Sequence, residues 1–163
     1  MLKSLITACV LLGLAGSPAL AAGTSSDTSS SDAAATPDPL VAKYGDLGPD
    51  YAAAEALVKA EKYPEAIKAL EALNKLEDPR VLNYLGYSHR KIGETDKGIE
   101  LYLKALTIAP DFVQAREYLG EAYVQAKDVE KAKGELTEIE KLCGNKDCEE
   151  YKDLDEAIKA AGT

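Results

Sequence analysis

The chain repeats itself at an interval of 34 residues. Leu82, Leu85 and Gly86 are answered 34 positions on by Arg116, Leu119 and Gly120, and His89 is answered by Tyr123. From about Asp50 to Ala161 the composition is rich in alanine, leucine, lysine and glutamate, with apolar residues three or four apart and few β-branched runs. That periodicity belongs to amphipathic helices that pack on one another. Breaks fall at Lys62-Tyr63-Pro64, Asp78-Pro79, Gly93, Pro110-Asp111, Lys127-Asp128 and Gly144-Asn145. Proline at a helix start and glycine just past a helix end then predict seven helices, over residues 50–61, 64–76, 79–92, 95–108, 112–126, 128–142 and 147–161.

The middle unit reads Leu82-x2-Leu85-Gly86-x2-His89, then Gly98-x3-Tyr102-x2-Ala105-x4-Pro110. This resembles the tetratricopeptide repeat, W-x2-L-G-x2-Y followed by A-x3-F and P, with Leu for Trp, His for Tyr and Gly for Ala. The next unit keeps Leu119, Gly120, Tyr123 and Ala132, but has Arg116 in the tryptophan place and Gly144 in the closing proline place. An earlier unit offers Tyr63, Ala66, Leu70 and Leu73, with Ala53, Ala54 and Leu57 as a loose match to its first helix. It precedes the middle unit by 32 residues, which predicts a shorter turn there. The resemblance implies an all-α fold: a right-handed solenoid of about three helix hairpins over 47–144, closed by a capping helix within 145–163. One such unit cannot bury its own face, so about three must stack.

Small residues at Gly86, Gly120, Ala66 and Ala132 are expected to let helix backbones approach, with leucines and tyrosines filling the space around them. His89, the sole histidine, falls where the family places a packing aromatic, and a structural role is expected for it. No second histidine completes a metal set, and Ser88 cannot pair with His89 because adjacent helix residues point about 100° apart. No catalytic residue, metal or cofactor is assigned, and the chain is not read as an enzyme.

Lys3, an apolar run from Leu5 to Ala15, Gly16-Ser17-Pro18 and Ala19-Leu20-Ala21 follow the order of a secretory signal, assigned to residues 1–21. A lipidated Cys9 is the alternative, because "ITAC" loosely resembles a lipobox. Residues 22–39 are small, polar and acidic, and read as a flexible leader. The expected destination is a bacterial periplasm, or secretion. Loss of the signal moves the formal charge from −9 to about −10, which disfavours nucleic acid and anionic lipid as partners. It also leaves Cys143 and Cys148 as an even pair, expected to form a disulfide between the last two helices. Asp147 with Glu150 has the spacing of an N-terminal cap for the final helix. The stripe Tyr151, Leu154, Ile158 and Ala161 on that helix is expected to close the stack, with homodimerisation as its alternative use.

In the family the first helices of successive units line a concave groove that holds a peptide or a partner helix. Carried over, the resemblance implies Arg80, Asn83, Tyr87, Arg90 and Lys91 in the middle unit, Gln114, Glu117, Glu121 and Gln125 in the next, and Tyr51 and Glu55 before them. The expected centre is basic and tyrosine-bearing, suited to a carboxylate or an acidic segment of a partner protein bound by a monomer or weak dimer. The family's two-carboxylate clamp is not carried over, because Tyr51, Glu55, Tyr84, Gln114 and Tyr118 stand in its lysine and asparagine places.

Overall fold

A computed structural model describes residues 39–162. The expected export signal, Cys9 and the leader up to residue 38 lie outside the described residues. Eight helices follow in order: α1 Pro39–Tyr44, α2 Pro49–Lys59, α3 Tyr63–Ala72, α4 Pro79–Lys91, α5 Thr95–Ile108, α6 Val113–Gln125, α7 Val129–Cys143 and α8 Glu149–Ala161. Among the described residues there is no strand, and no helix is long and apolar enough to cross a membrane.

The seven expected helices are all present, with ends shifted by a few residues. α3 stops earliest relative to expectation, at Ala72, because Asn74 turns left-handed at φ 51° and its side-chain amide donates to the Ala72 carbonyl at 3.2 Å. A short polar side chain tolerates that conformation and satisfies a terminal carbonyl. At α4 the Asp78 carboxylate accepts from the Arg80 amide at 2.9 Å and Pro79 occupies the first turn, so the start is fixed twice. The final helix departs from expectation: Cys148, not Asp147, is its N-cap, without a side-chain bond, and Asn145 instead accepts from the Asp147 amide at 2.7 Å.

Helix α1 is not among the seven expected helices: it begins at Pro39, the last residue of the expected leader, and runs to Tyr44. Leu40, Tyr44 and Leu47 pack on the first core cluster, and the Tyr44 hydroxyl donates to the Ile108 carbonyl at 3.1 Å. Six residues are too few to form a stable helix alone; packing holds it.

Helices α2, α4, α6 and α8 are successive neighbours in one layer, while α3, α5 and α7 each fill in behind a hairpin partner. The turn inside each hairpin uses a left-handed residue: Glu61 at φ 59°, Gly93 at 93° and Lys127 at 64°. Two core clusters result. One, from α2 to α6, contains Leu70, Val81, Leu85 and Ala105; the other joins Tyr102, Leu119, Ile139, Leu154 and Ile158. Each large apolar side chain so enclosed contributes roughly 1.5–3 kcal/mol.

Small residues set the close approaches, between the layers at Gly86 and within the inner layer at Gly120. A Cβ at Gly86 would lie 2.8 Å from the Tyr102 ring, and one at Gly120 would collide with Leu154. α8 thus docks on α6 as a further unit's first helix would. Tyr151, Leu154 and Ile158 are spent in this contact, so the stripe is not free for dimerisation. Arg116, in the tryptophan place, spans the α6–α7 hairpin by pairing with Glu135 at 2.9 Å and donating to the Pro110 carbonyl at 2.8 Å.

Candidate interaction groove

Tyrosines of α2, α4 and α6, joined by Tyr63 of α3 and Tyr102 of α5, form a row of neighbouring rings. Tyr51 and Tyr84 have ring centroids 6.1 Å apart, Tyr63 and Tyr87 6.1 Å, Tyr87 and Tyr118 4.8 Å, and Tyr118 and Tyr102 6.1 Å. Tyr102 is fully buried, whereas Tyr51, Tyr63, Tyr84, Tyr87 and Tyr118 are half-buried. The helical layer places a ring on each helix at the same height, because Tyr84 recurs at Tyr118 on the 34-residue period. Two clefts open along this ladder. A cleft of about 240 Å³ lies among Val58, Tyr63, Tyr84, Tyr87, Gln114 and Tyr118. Another, of about 210 Å³, lies among Tyr51, Glu55, Arg80, Asn83 and Gln114, with Leu40 and Val41 of α1 forming one wall.

The ladder is fixed by polar contacts at its edges. The Tyr84 hydroxyl donates to Glu55 Oε1 at 2.9 Å, and Glu55 also pairs with Lys59 at 2.9 Å. Burial, then that bond to Glu55, pushes the Tyr84 phenol far above its ordinary range. Burial likewise raises Tyr118, with Glu117 adding to it. Both rings therefore remain neutral, flat apolar surfaces with a hydroxyl at one end.

The expected site residues share this layer, but their states differ from expectation. Arg80 is buried, with its guanidinium donating to both Asp78 carboxylate oxygens, at 3.0 and 2.7 Å, and to the Gly45 carbonyl at 2.8 Å. Arg90 is buried too, paired with Glu121 and lying 5.4 Å from the Tyr87 ring centre. Both arginines brace the inner layer, so they do not form the basic centre expected to grip an acidic segment. Asn83 is buried and its amide donates to Gln114 Oε1 at 3.1 Å, while its Oδ1 makes no hydrogen bond among the described residues. Tyr87 lines the first of the two clefts, and the exposed Lys91 lies 5.0 Å from its ring centre. Glu117 is buried, Gln114 and Glu121 half-buried, and Gln125 exposed.

Tyr63 is absent from the residues expected in the groove, and Tyr84 and Tyr118 enter there only as places of the clamp that is not carried over. The recurrence of Tyr84 at Tyr118 was the available signal for two of them. Tyr63 carried none, because it opens a second helix and reaches the groove only through the hairpin turn.

Neither Ser88 nor His89 belongs to this surface chemistry. Ser88 is fully buried in α4, and His89 Nδ1 lies 2.7 Å from Glu94 Oε2 at the next turn. At the far end, Cys143 closes α7, Gly144 turns left-handed at φ 72°, and the Cys143 and Cys148 sulfurs are bonded with Cα atoms 6.4 Å apart.

Solved structures with the same fold include three of interest. The type III secretion translocator chaperone SycD of Yersinia enterocolitica is 21% identical over 69% of this chain and 81% of its own, with a TM-score of 0.62. The Sgt2 TPR domain of Aspergillus fumigatus is 18% identical over 77% of this chain and 79% of its own, with a TM-score of 0.61. PcrH, solved in complex with the chaperone binding region of PopB, is 20% identical over 71% of this chain and 93% of its own, with a TM-score of 0.58. No curated protein sequence matches the chain significantly. The tetratricopeptide repeat family profile matches residues 51–111 and again 85–138, across the helices that build the groove; the chain belongs to the tetratricopeptide repeat family.

Proposed function

We propose that the chain binds a segment of a partner protein along the tyrosine ladder of α2, α4 and α6, as an interaction module or scaffold without catalytic activity of its own. The observation that carries this reading is the row of half-buried rings, Tyr51, Tyr84, Tyr87 and Tyr118, beside open clefts. Tyrosine presents large contact area with few rotatable bonds, and a buried contact of this kind contributes about 2 kcal/mol or more at a binding hot spot. The same fold holds a segment of another protein in two of its neighbours: SycD with a peptide of the translocator YopD, and PcrH with a region of PopB.

The setting we propose is a bacterial periplasm, after export. Support comes from the signal-like order of residues 1–21 and from the bonded pair Cys143 and Cys148, which suits an oxidising compartment.

A photo-crosslinking residue placed at Tyr63 or at Tyr118, compared with one at the exposed Leu103 of α5, tests the groove directly in cells. A defined partner crosslinked from the tyrosine positions and not from Leu103 is the expected result. Crosslinking from Leu103 alone would move the interaction to the other face.

A further inference from the structure

The contacts between neighbouring inner helices change character at the last seam. Between α4 and α6, Asn83 donates to Gln114 and Tyr87 packs on Tyr118. A step of 34 residues carries Asn83 to Glu117 and Tyr87 to Glu121 on α6. On α8, Glu150 and Asp153 stand three residues apart on one helix face, and with Leu154 seated against Gly120 both lie near enough to act on the charge of Glu117. Four carboxyls therefore gather where the preceding seam has an amide pair and an aromatic pair.

Glu117 is the second observation. It is only 8% exposed, yet it makes no hydrogen bond or ion pair among the described residues. Burial first, then Glu121, Asp153 and Glu150, push its carboxyl up to about 8, against the opposing pull of Arg90. Arg90, the neighbouring cation, is committed to Glu121. Glu150 stands in the first turn of α8, where the helix dipole favours an anion, but neither Glu117 nor Asp153 has that explanation. Its carboxyl oxygens are not sealed from solvent, so a ligand can reach them, and in a binding protein the partner such a group lacks within the chain is sought on the ligand.

We propose that the α6–α8 seam is a subsite for a cationic side chain, lysine or arginine, on the segment bound in the groove. The inference rests on the groove reading and adds a charge requirement to it. The geometry favours a side chain over a metal ion. Among the described residues, the one group of three potential metal ligands within 4.8 Å of one another is Cys143, Cys148 and Glu150, and its sulfurs are tied to each other. A divalent cation needs oxygens converging at roughly 2.0–2.6 Å. An ammonium or a planar guanidinium donates outward from several hydrogens and can serve carboxylates spread more widely around it. The formal charge of −9 acts in the same direction, drawing basic segments toward the chain.

The probe is a phage-displayed library of random peptides, selected on the purified chain and then on a Glu117→Gln/Asp153→Asn variant whose folding is checked by thermal melting. Selected peptides should share a lysine or arginine, and replacing it with methionine should weaken binding about 30-fold or more. The variant should bind the basic and methionine peptides nearly equally. Selection of peptides lacking any basic residue, or equal preference by chain and variant, would overturn the subsite and leave the groove reading standing. Failure of the folded chain to select any peptide would overturn both.

Discussion

A methyl group built on Gly98 would sit 2.9 Å from the carbonyl oxygen of Gly86, one helix across the hairpin. The repeat pattern has alanine in the place of Gly98, so α4 and α5 approach more closely here than that alanine would allow. Gly98→Ala must therefore push two backbones apart, and a backbone cannot move aside as a side-chain tip can. We expect a loss of about 1–3 kcal/mol from overpacking, despite the better helix propensity of alanine. Gly134→Ala, in the exposed face of α7 with nothing within 4 Å, should instead gain up to about 1 kcal/mol. Paired urea melts read both signs, and a stable Gly98→Ala would contradict the close approach.

The three hairpin turns predict a second pair of opposite effects. Only the middle turn has glycine at its left-handed residue; Glu61 and Lys127 take that conformation with a Cβ. Gly93→Ala should cost about 1 kcal/mol, while Lys127→Gly should gain a few tenths of a kcal/mol, the relief of strain being partly offset by glycine's greater unfolded entropy. Thermal melting of the two variants decides it.

Glu117 makes stability depend on pH. Its folded carboxyl is raised to about 8 from an ordinary 4.5, so the folded chain holds the proton more tightly than the unfolded chain. The contribution is full below about pH 4.5 and is lost as pH rises toward 8. Chemical melts between pH 5 and pH 8 should show this decline. Glu117→Gln should flatten it and be the more stable protein at the alkaline end; an unchanged slope would show that Glu117 is ionised at little cost.

Reduction of the bond between Cys143 and Cys148 should lower the melting temperature modestly. The loop spans five positions, for which the chain-entropy account gives about 2 kcal/mol. Melting with and without reductant measures it, and a large collapse on reduction would mean that the bond, rather than the Leu154 contact with Gly120, holds α8 in place.

Much of the architecture was legible because stacking requires it. The leucines, alanines and glycines of α2 to α8 recur at fixed steps, and their period marks both the helices and their turns. Helix α1 was not legible: Leu40, Tyr44 and Leu47 are too few to show a period, and Tyr44 is held by Ile108, 64 positions away. The groove was read in outline and misread in charge. Spacing puts Arg80 and Arg90 on one face of a helix, yet spacing does not reveal that Asp78 and Glu121 consume the two guanidinium groups. The carboxyls at the last seam were hidden for the same reason, since Asp153 and Glu150 meet Glu117 only when α8 docks.

The most direct test of the account follows the tyrosine rings themselves by NMR, with the chain isotopically labelled at tyrosine and titrated with the best peptide from the random library. The account predicts that Tyr63, Tyr87 and Tyr118 shift on binding, while Tyr123, buried in the second core away from the groove, stays unmoved. Saturable binding that leaves the three groove rings unshifted would place the interaction elsewhere and contradict the central claim.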